Sequence, residues 1–283
     1  EKGQEIRLSG LREVHFGLQL AGIPHVCRFV ESFEEHANEN VTELWLVFKF
    51  EGQSLRQYLY ETNVEGSLIH FQTSHFWRDL RQSPHGPRMI KEVMRQILQG
   101  VSFCHTKNVT HRDLKPDNLI VHVQLPSSGL VPSFEEERFS IVLKLADFGS
   151  AVDAYSVEHL YGTGGPSQEE ETLDYAPPEV LFGDGVPCAA MRPHSYDLWS
   201  AGVIFLEMLL GTSKVFQIDG RTRAYMTVKM PNAPPKMIEQ ACLLKAFMEY
   251  RIYPPPSHSP SHSPPHSSHD PPAPPAPPAP PAP

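Results

Sequence analysis

His111-Arg112-Asp113-Leu114-Lys115-Pro116-Asp117-Asn118 is the stretch whose reading decides the fold. An apolar run, Leu119-Ile120-Val121, follows it at once. A second run, Ile141-Val142-Leu143-Lys144-Leu145-Ala146, leads directly into Asp147-Phe148-Gly149. Runs of this length and composition read as strands. Taken singly, Asp113, Lys115 or Asp147 is a solvated surface charge. In this order, beside buried strands, Asp113, Lys115, Asn118 and Asp147 share no common structural role, and they become candidates for chemistry.

The flanking segments read as scaffold for that stretch. Ile90, Val93, Met94, Ile97, Leu98 and Val101 recur at three and four, which predicts an amphipathic helix leading through Lys107-Asn108-Val109 into His111. Ser195 to Leu210 predicts a second helix, apolar on nearly all sides and stopped by Gly211, so it is expected to be buried. Toward the N-terminus, Ile6 to Leu20 has a mixed pattern that predicts a helix interrupted by Gly10 and Gly17. Phe29 to Phe33 reads as a strand, and Leu44-Trp45-Leu46-Val47-Phe48 as a buried one. Ser54 is an N-cap candidate for a helix running to Tyr60, and a polar loop is expected from there to about Pro87. Gln124 to Ser140 is polar and turn-rich and reads as an exposed insertion. Met237 to Tyr250 gives one more helical pattern. From Pro254 the chain turns to Pro, Ser and His and then to Ala-Pro-Pro repeats, which cannot bury a core and predict disorder or polyproline II.

Composition narrows the function classes. Of 283 residues 40% are hydrophobic, enough for a sizeable core, and the formal net charge of −9 argues against a general nucleic-acid binder or adsorption to anionic membranes. Cys27, Cys104, Cys188 and Cys242 are scattered without a C-x-x-C pair, as expected of reduced thiols in an intracellular, cytoplasmic protein. Several of the fifteen histidines lie in the low-complexity tail, and no mixed Cys/His ligand spacing is present, so no metal site is read from them. The most apolar segment, Leu198 to Leu210, is too short to span a bilayer and contains Glu207.

The ordered set His111 to Asn118 followed by Asp147-Phe148-Gly149 resembles the catalytic loop and magnesium-binding turn of a eukaryotic protein kinase, serine/threonine type. The resemblance implies a two-lobed α+β fold over residues 1–253, with a partial small lobe and a mainly helical large lobe, and a disordered tail over 254–283. It implies Asp113 as the carboxylate that orients a substrate hydroxyl and accepts its proton, and Lys115 as the cation neutralising the transferring γ-phosphoryl. Asn118 and Asp147 would be the magnesium ligands, both offering hard oxygen donors. Thr172 would contact the catalytic loop, Asp197 would hold that loop from inside, and His111 and Phe148 would pack without taking part in chemistry. Glu13 would be the glutamate of the small-lobe helix, although its spacing to Pro24 is about one residue long, and as a bare helix charge it would be solvated. Phe48 would stand at the back of an ATP pocket, with Lys49-Phe50-Glu51-Gly52 as the hinge offering main-chain groups to adenine. ATP, Mg²⁺ and a protein substrate are the implied ligands.

The same resemblance exposes departures. No G-x-G-x-x-G-x-V stretch or V-A-I-K-like lysine strand precedes Glu13, and Lys2 lacks the strand context. The expectation is that the sequence is a piece of a longer kinase or has lost the clamp on ATP, and that the isolated chain binds ATP poorly and turns over slowly. The usual A-P-E ending is Pro177-Pro178-Glu179 here. Gly162-Thr163-Gly164-Gly165 has no following Lys-Ser/Thr and is not a P-loop. Arg112 in such loops pairs with an activation-loop phosphate, for which Thr163, Ser167 and Thr172 are acceptor candidates. The acidic run Glu169-Glu170-Glu171 could replace that phosphate by charge, or be a solvated loop. The stretch from Asp147 to Ser167 is similar to plant and algal kinase domains fused to a type 2C protein phosphatase, over the kinase part only. The alternative from another class is a pseudokinase scaffold or regulatory interaction module, against which the retention of Asp113, Asn118 and Asp147 weighs. The tail carries P-x-x-P spacing suited to an aromatic-groove domain, with a plain spacer as the blander reading.

Overall fold

The computed structural model describes residues 2–38, 41–65, 68–124, 140–162, 165–166, 170, 172–181, 193–216 and 218–249. The expected insertion after Gln124, most of the acidic run and the Pro-rich tail lie outside the described residues. A smaller lobe consists of helix α1 (Lys2–Gln19) against the antiparallel pair β1 (Phe29–Asn38) and β2 (Val41–Phe48). The larger lobe begins with β3 (Gln53–Ser54) and α2 (Leu55–Leu59) and is mainly helical. This is the two-lobed α+β arrangement that the resemblance implies.

Helix α1 is continuous through Gly10 and Gly17, contrary to the expected interruption. Both glycines face the strand pair: a Cβ on Gly17 would sit 2.6 Å from the Phe29 ring, and one on Gly10 would sit 3.0 Å from Leu44. The absent side chains let the helix lie close to the pair, which outweighs their poor helix propensity. Strand β2 is not buried as expected. Trp45 is 48% exposed and stacks on Phe33 at 6.2 Å, because a two-stranded sheet with α1 on one face leaves its other face open.

The expected loop up to Pro87 is largely regular structure. Strands β4 (Tyr60–Glu65) and β5 (Leu68–Thr73) form an antiparallel hairpin, followed by α3 (His75–Gln82). Ser74 caps α3 by accepting from the Trp77 amide at 3.0 Å, and Trp77 and Leu80 are buried beneath it. Upstream, Ser54 does cap α2, its amide donating to the Gln57 side chain at 2.9 Å, but the helix ends at Leu59. Helix α4 (Gly86–Thr106) and strands β6 (Leu119–Gln124) and β7 (Ser140–Leu145) appear where periodicity places them, with β3, β6 and β7 forming one sheet. The short α5 (Ala154–His159) and α6 (Pro178–Leu181) precede α7 (Pro193–Leu210), α8 (Gly220–Lys229) and α9 (Pro235–Met248).

Helix α7 departs from the expectation of burial on all sides. Ala201, Ile204 and Met208 are buried, yet Leu198 is 52% exposed, and Phe205 and Leu209 line an open cavity of about 800 Å³ with residues of α3 and α4. Among the described residues nothing covers that side. No described helix is long and apolar enough to cross a membrane. Cys27, Cys104 and Cys242 are free thiols.

On its buried side α7 carries Glu207, whose carboxylate accepts hydrogen bonds from Tyr60 at 2.6 Å and Tyr175 at 2.7 Å. Burial outweighs those bonds and pushes Glu207 up to about 7 from an ordinary value of 4.5. A carboxyl held above its unfolded value contributes most below about pH 4.5, and that contribution is lost as pH rises through 7. Thermal unfolding should therefore show stability falling by about 2–3 kcal/mol between pH 5 and 8 from this group. Glu207→Gln should flatten that slope, whereas an unchanged slope would mean that Glu207 is ionised in the fold.

Candidate active site

The buried Asp197 of α7 organises the loop that follows α4. Its two oxygens accept the main-chain N–H groups of His111 and Arg112, each at 3.0 Å, and it meets His105 Nε2 at 2.8 Å. Arg112 stands at φ 67°, a conformation that a non-glycine residue adopts only when neighbours enforce it. The paired bonds to Asp197 supply that enforcement, and the sequence-based role for Asp197 agrees with this geometry. The His111 and Phe148 rings meet at a tilt with centroids 4.7 Å apart, and Phe148 also meets Phe16 of α1 at 6.3 Å.

Asp113 directly follows Arg112 and is the hub of a polar cluster. Lys115 Nζ donates to Asp113 Oδ2 at 2.6 Å, and the Thr172 hydroxyl donates to Oδ1 at 2.8 Å. Lys115 also reaches Thr172 Oγ1 at 3.0 Å. The Asn118 amide donates to the Asp113 carbonyl at 2.9 Å and to Oδ2 at 3.1 Å, so its carboxamide oxygen is the atom left to serve a cation. Asp147 is tied to the same loop through the Ala146 amide, which donates to the Asn118 carbonyl at 2.9 Å. Asp147 itself holds φ 64°, a second enforced left-handed position at the centre of the site.

A cavity of about 600 Å³ opens beside Asp147, between α1, β2 and β6. Its lining includes Glu13, Phe48, Lys49, Phe50, Ile120 and Asp147. Asp147 is in that lining, while Asp113, Lys115 and Asn118 are not; the Ala146 amide, which donates to the Asn118 carbonyl, links their loop to the pocket. The cavity over α3, α4 and α7 is larger but far from this chemistry. Phe50 is 85% exposed at the mouth, consistent with a segment whose main chain, not its side chains, faces the pocket.

Glu13 is not a solvated helix charge. It is 8% exposed and accepts from the Gly149 amide at 2.9 Å. Burial, with the Asp147 carboxylate hydrogen-bonded against it, pushes Glu13 up to about 8. Among the described residues no lysine or arginine pairs with the Glu13 carboxylate, and the Asp147 side chain stands against it instead.

Three contributions were not foreseen from the sequence. Lys144 pairs with Glu51 at 2.9 Å and ties the segment after Phe48 to β7, where Gly52 at φ 140° lies against the Val121 carbonyl. Cys27 lines the pocket as a thiol that burial pushes up to about 12. Arg12, next to Glu13, is buried and donates to the Gly149 carbonyl at 2.5 Å. Nothing in a sequence separates such an arginine from an ordinary helix-surface charge, since its partners stand about 140 residues away.

The donor set fits a divalent cation. Asn118 and Asp147 offer hard oxygens around a common loop, and a pocket of nucleotide size adjoins them.

Comparison with known proteins points the same way. The family described as protein kinase domain matches residues 2–242. A probable inactive protein kinase of Arabidopsis thaliana is 33% identical, with 91% of this chain and 79% of that protein covered. Cell division control protein 2 homolog D of Antirrhinum majus is 32% identical over 70% of this chain and 51% of its own length. Cyclin-dependent kinase D-1 of Arabidopsis thaliana is 29% identical over 89% of this chain, and here too the chain spans about half of the relative.

Proposed function

The chain belongs to the protein kinase family, and on that premise we propose that it is a protein serine/threonine kinase which transfers the γ-phosphoryl of Mg-ATP to a protein hydroxyl. The observation that carries the reading is the convergence on Asp113 of Lys115, Thr172 and Asn118 within hydrogen-bonding distance. Asp113 would orient the incoming hydroxyl and take its proton as the new bond to phosphorus forms. Lys115, already beside Asp113, would neutralise charge growing on the phosphoryl oxygens. A lysine at this place, together with Thr172, supports serine/threonine over tyrosine acceptors.

Asn118 and Asp147 would hold Mg²⁺, which when bound supplies charge neutralisation to the ATP phosphates. Main-chain groups of Lys49, Phe50 and Glu51 would receive adenine at the pocket mouth, and Phe48 and Ile120 would border it. The Glu13–Asp147 contact supports weak ATP binding, because Asp147 is engaged by a neighbour of its own kind.

A second reading, a scaffold that binds partners without turnover, draws on the same pair and on the relative named as a probable inactive kinase. Partners of either form are a protein substrate and, for the Pro-rich tail, an aromatic-groove domain. Calorimetric titration of the chain with ATP separates the readings. The expected result is weak binding that requires Mg²⁺ and is lost in Asp147→Asn. Binding of equal strength with and without Mg²⁺ would contradict the metal role of Asp147.

A further inference from the structure

The outer face of the small-lobe strand pair carries an aromatic stack left open among the described residues. Phe33 of β1 and Trp45 of β2 are direct cross-strand partners, each 48% exposed, with ring planes 9° apart and centroids separated by 6.2 Å. Side chains alternate between the two faces of a strand, so Glu31 and Glu35 share this face with Phe33, and Glu43 shares it with Trp45. Glu35 stands directly opposite Glu43 in the register. All three glutamates are exposed, and among the described residues no lysine, arginine or histidine pairs with them. The inner face is built differently. Glu34 pairs there with Arg7 of α1 at 2.6 Å, and its cross-strand partner Leu44 lies against Gly10.

Like charges set directly opposite each other destabilise a strand pair, and exposed aromatic rings leave apolar surface in water. Neither feature helps the fold, and one ligand chemistry satisfies both. A guanidinium group lies flat on an aromatic ring and pairs with a carboxylate through its planar fork. We propose that this face is a docking surface for a protein segment that presents arginine side chains. Same-face positions of an extended chain are spaced by about 6.8 Å, twice the rise per residue. Arginines at alternate positions of an extended partner therefore match the face in order: one between Glu35 and Glu43, one on the Phe33–Trp45 stack and one at Glu31. The formal net charge of −9 favours approach of such a cationic segment and repels a nucleic acid or an anionic lipid surface. Leu46, which lines the pocket beside Asp147, pairs with Ser32 on the inner face, so docking leaves that pocket open. The proposal does not depend on phosphoryl transfer and can be tested without it.

The experiment is titration of the full chain with the synthetic peptide Gly-Arg-Gly-Arg-Gly-Arg-Gly, read by calorimetry and by tryptophan fluorescence, with the lysine counterpart alongside. The arginine peptide should bind saturably, and the lysine peptide about fivefold more weakly, because an ammonium neither stacks nor forks. Glu35→Gln/Glu43→Gln should weaken binding of the arginine peptide by about tenfold or more. That double variant removes only exposed, opposed charges, so its Tm should stay equal or rise. Trp45→Phe keeps a ring on the face, so heat of binding should persist while the fluorescence change disappears. No saturable binding, full affinity in the double variant, equal affinity for the lysine peptide, or a fluorescence change that survives Trp45→Phe would each overturn the proposal. So would self-association of the unliganded chain in sedimentation that is lost in the double variant, which would put a second copy on this face.

Discussion

Asp113→Asn is expected to lower the rate of Mg-ATP-dependent phosphoryl transfer by about 10²–10⁴-fold, the range typical of losing a positioned general base. The substitution keeps the size of the side chain and one acceptor oxygen while turning the other into an NH2 donor, so the Thr172 and Asn118 contacts keep one acceptor to rearrange around. It removes the negative charge that faces Lys115 at 2.6 Å and the only atom of the cluster suited to take a hydroxyl proton. The pocket wall of Phe48, Lys49 and Phe50 is untouched, so KM for ATP should change little. Steady-state assays of the two proteins read both parameters. A variant with unchanged kcat would mean that Asp113 is a structural residue.

Asp197→Ala is expected to produce the largest loss of stability, about 3–5 kcal/mol, because it strands buried donors on one side of the core. The His111 and Arg112 amides would lose their acceptor, as would His105. Arg112 would also lose the bonds that hold its positive φ. For a chain of this size the change corresponds to a fall of about 10 °C in Tm, measurable by calorimetry or circular dichroism. The catalytic loop should loosen with it, since both anchored amides lie within two residues of Asp113. A shift under about 2 °C would show that water or a neighbour replaces the carboxylate at little cost.

Much of this was legible because its physics is local. The three-and-four spacing of Ile90, Val93, Ile97 and Val101 specified α4, and the apolar runs on either side of the insertion specified β6 and β7. The site was legible for a different reason: Asp113, Lys115, Asn118 and Asp147 keep an order that only a shared task explains, and in the fold Lys115 and Asn118 hydrogen-bond to Asp113 while Asp147 lines the pocket. What escaped had weak or misleading local signals. In the β4–β5 hairpin the clue was the alternation around Thr62 and Phe71, a weak signal because Phe71 is exposed. Helix α8 buries only Thr222 and announces itself by its Asp219 cap alone, the Thr222 amide donating to that side chain at 2.6 Å. The apolar circumference of α7 overstated its burial, since periodicity reports what a helix can cover and not what arrives to cover it. Arg12, Lys144 and Glu170 acquire meaning only from partners distant in sequence.

The most direct test is to incubate the chain with Mg²⁺, ATP labelled in its γ-phosphoryl and a mixed peptide containing serine, threonine and tyrosine, and to identify the labelled amino acid. The account predicts slow, Mg²⁺-dependent label on serine or threonine that disappears in Asp113→Asn. Label on tyrosine alone, label that persists in Asp113→Asn, or no label from a chain that remains folded with ATP and Mg²⁺ present would contradict it.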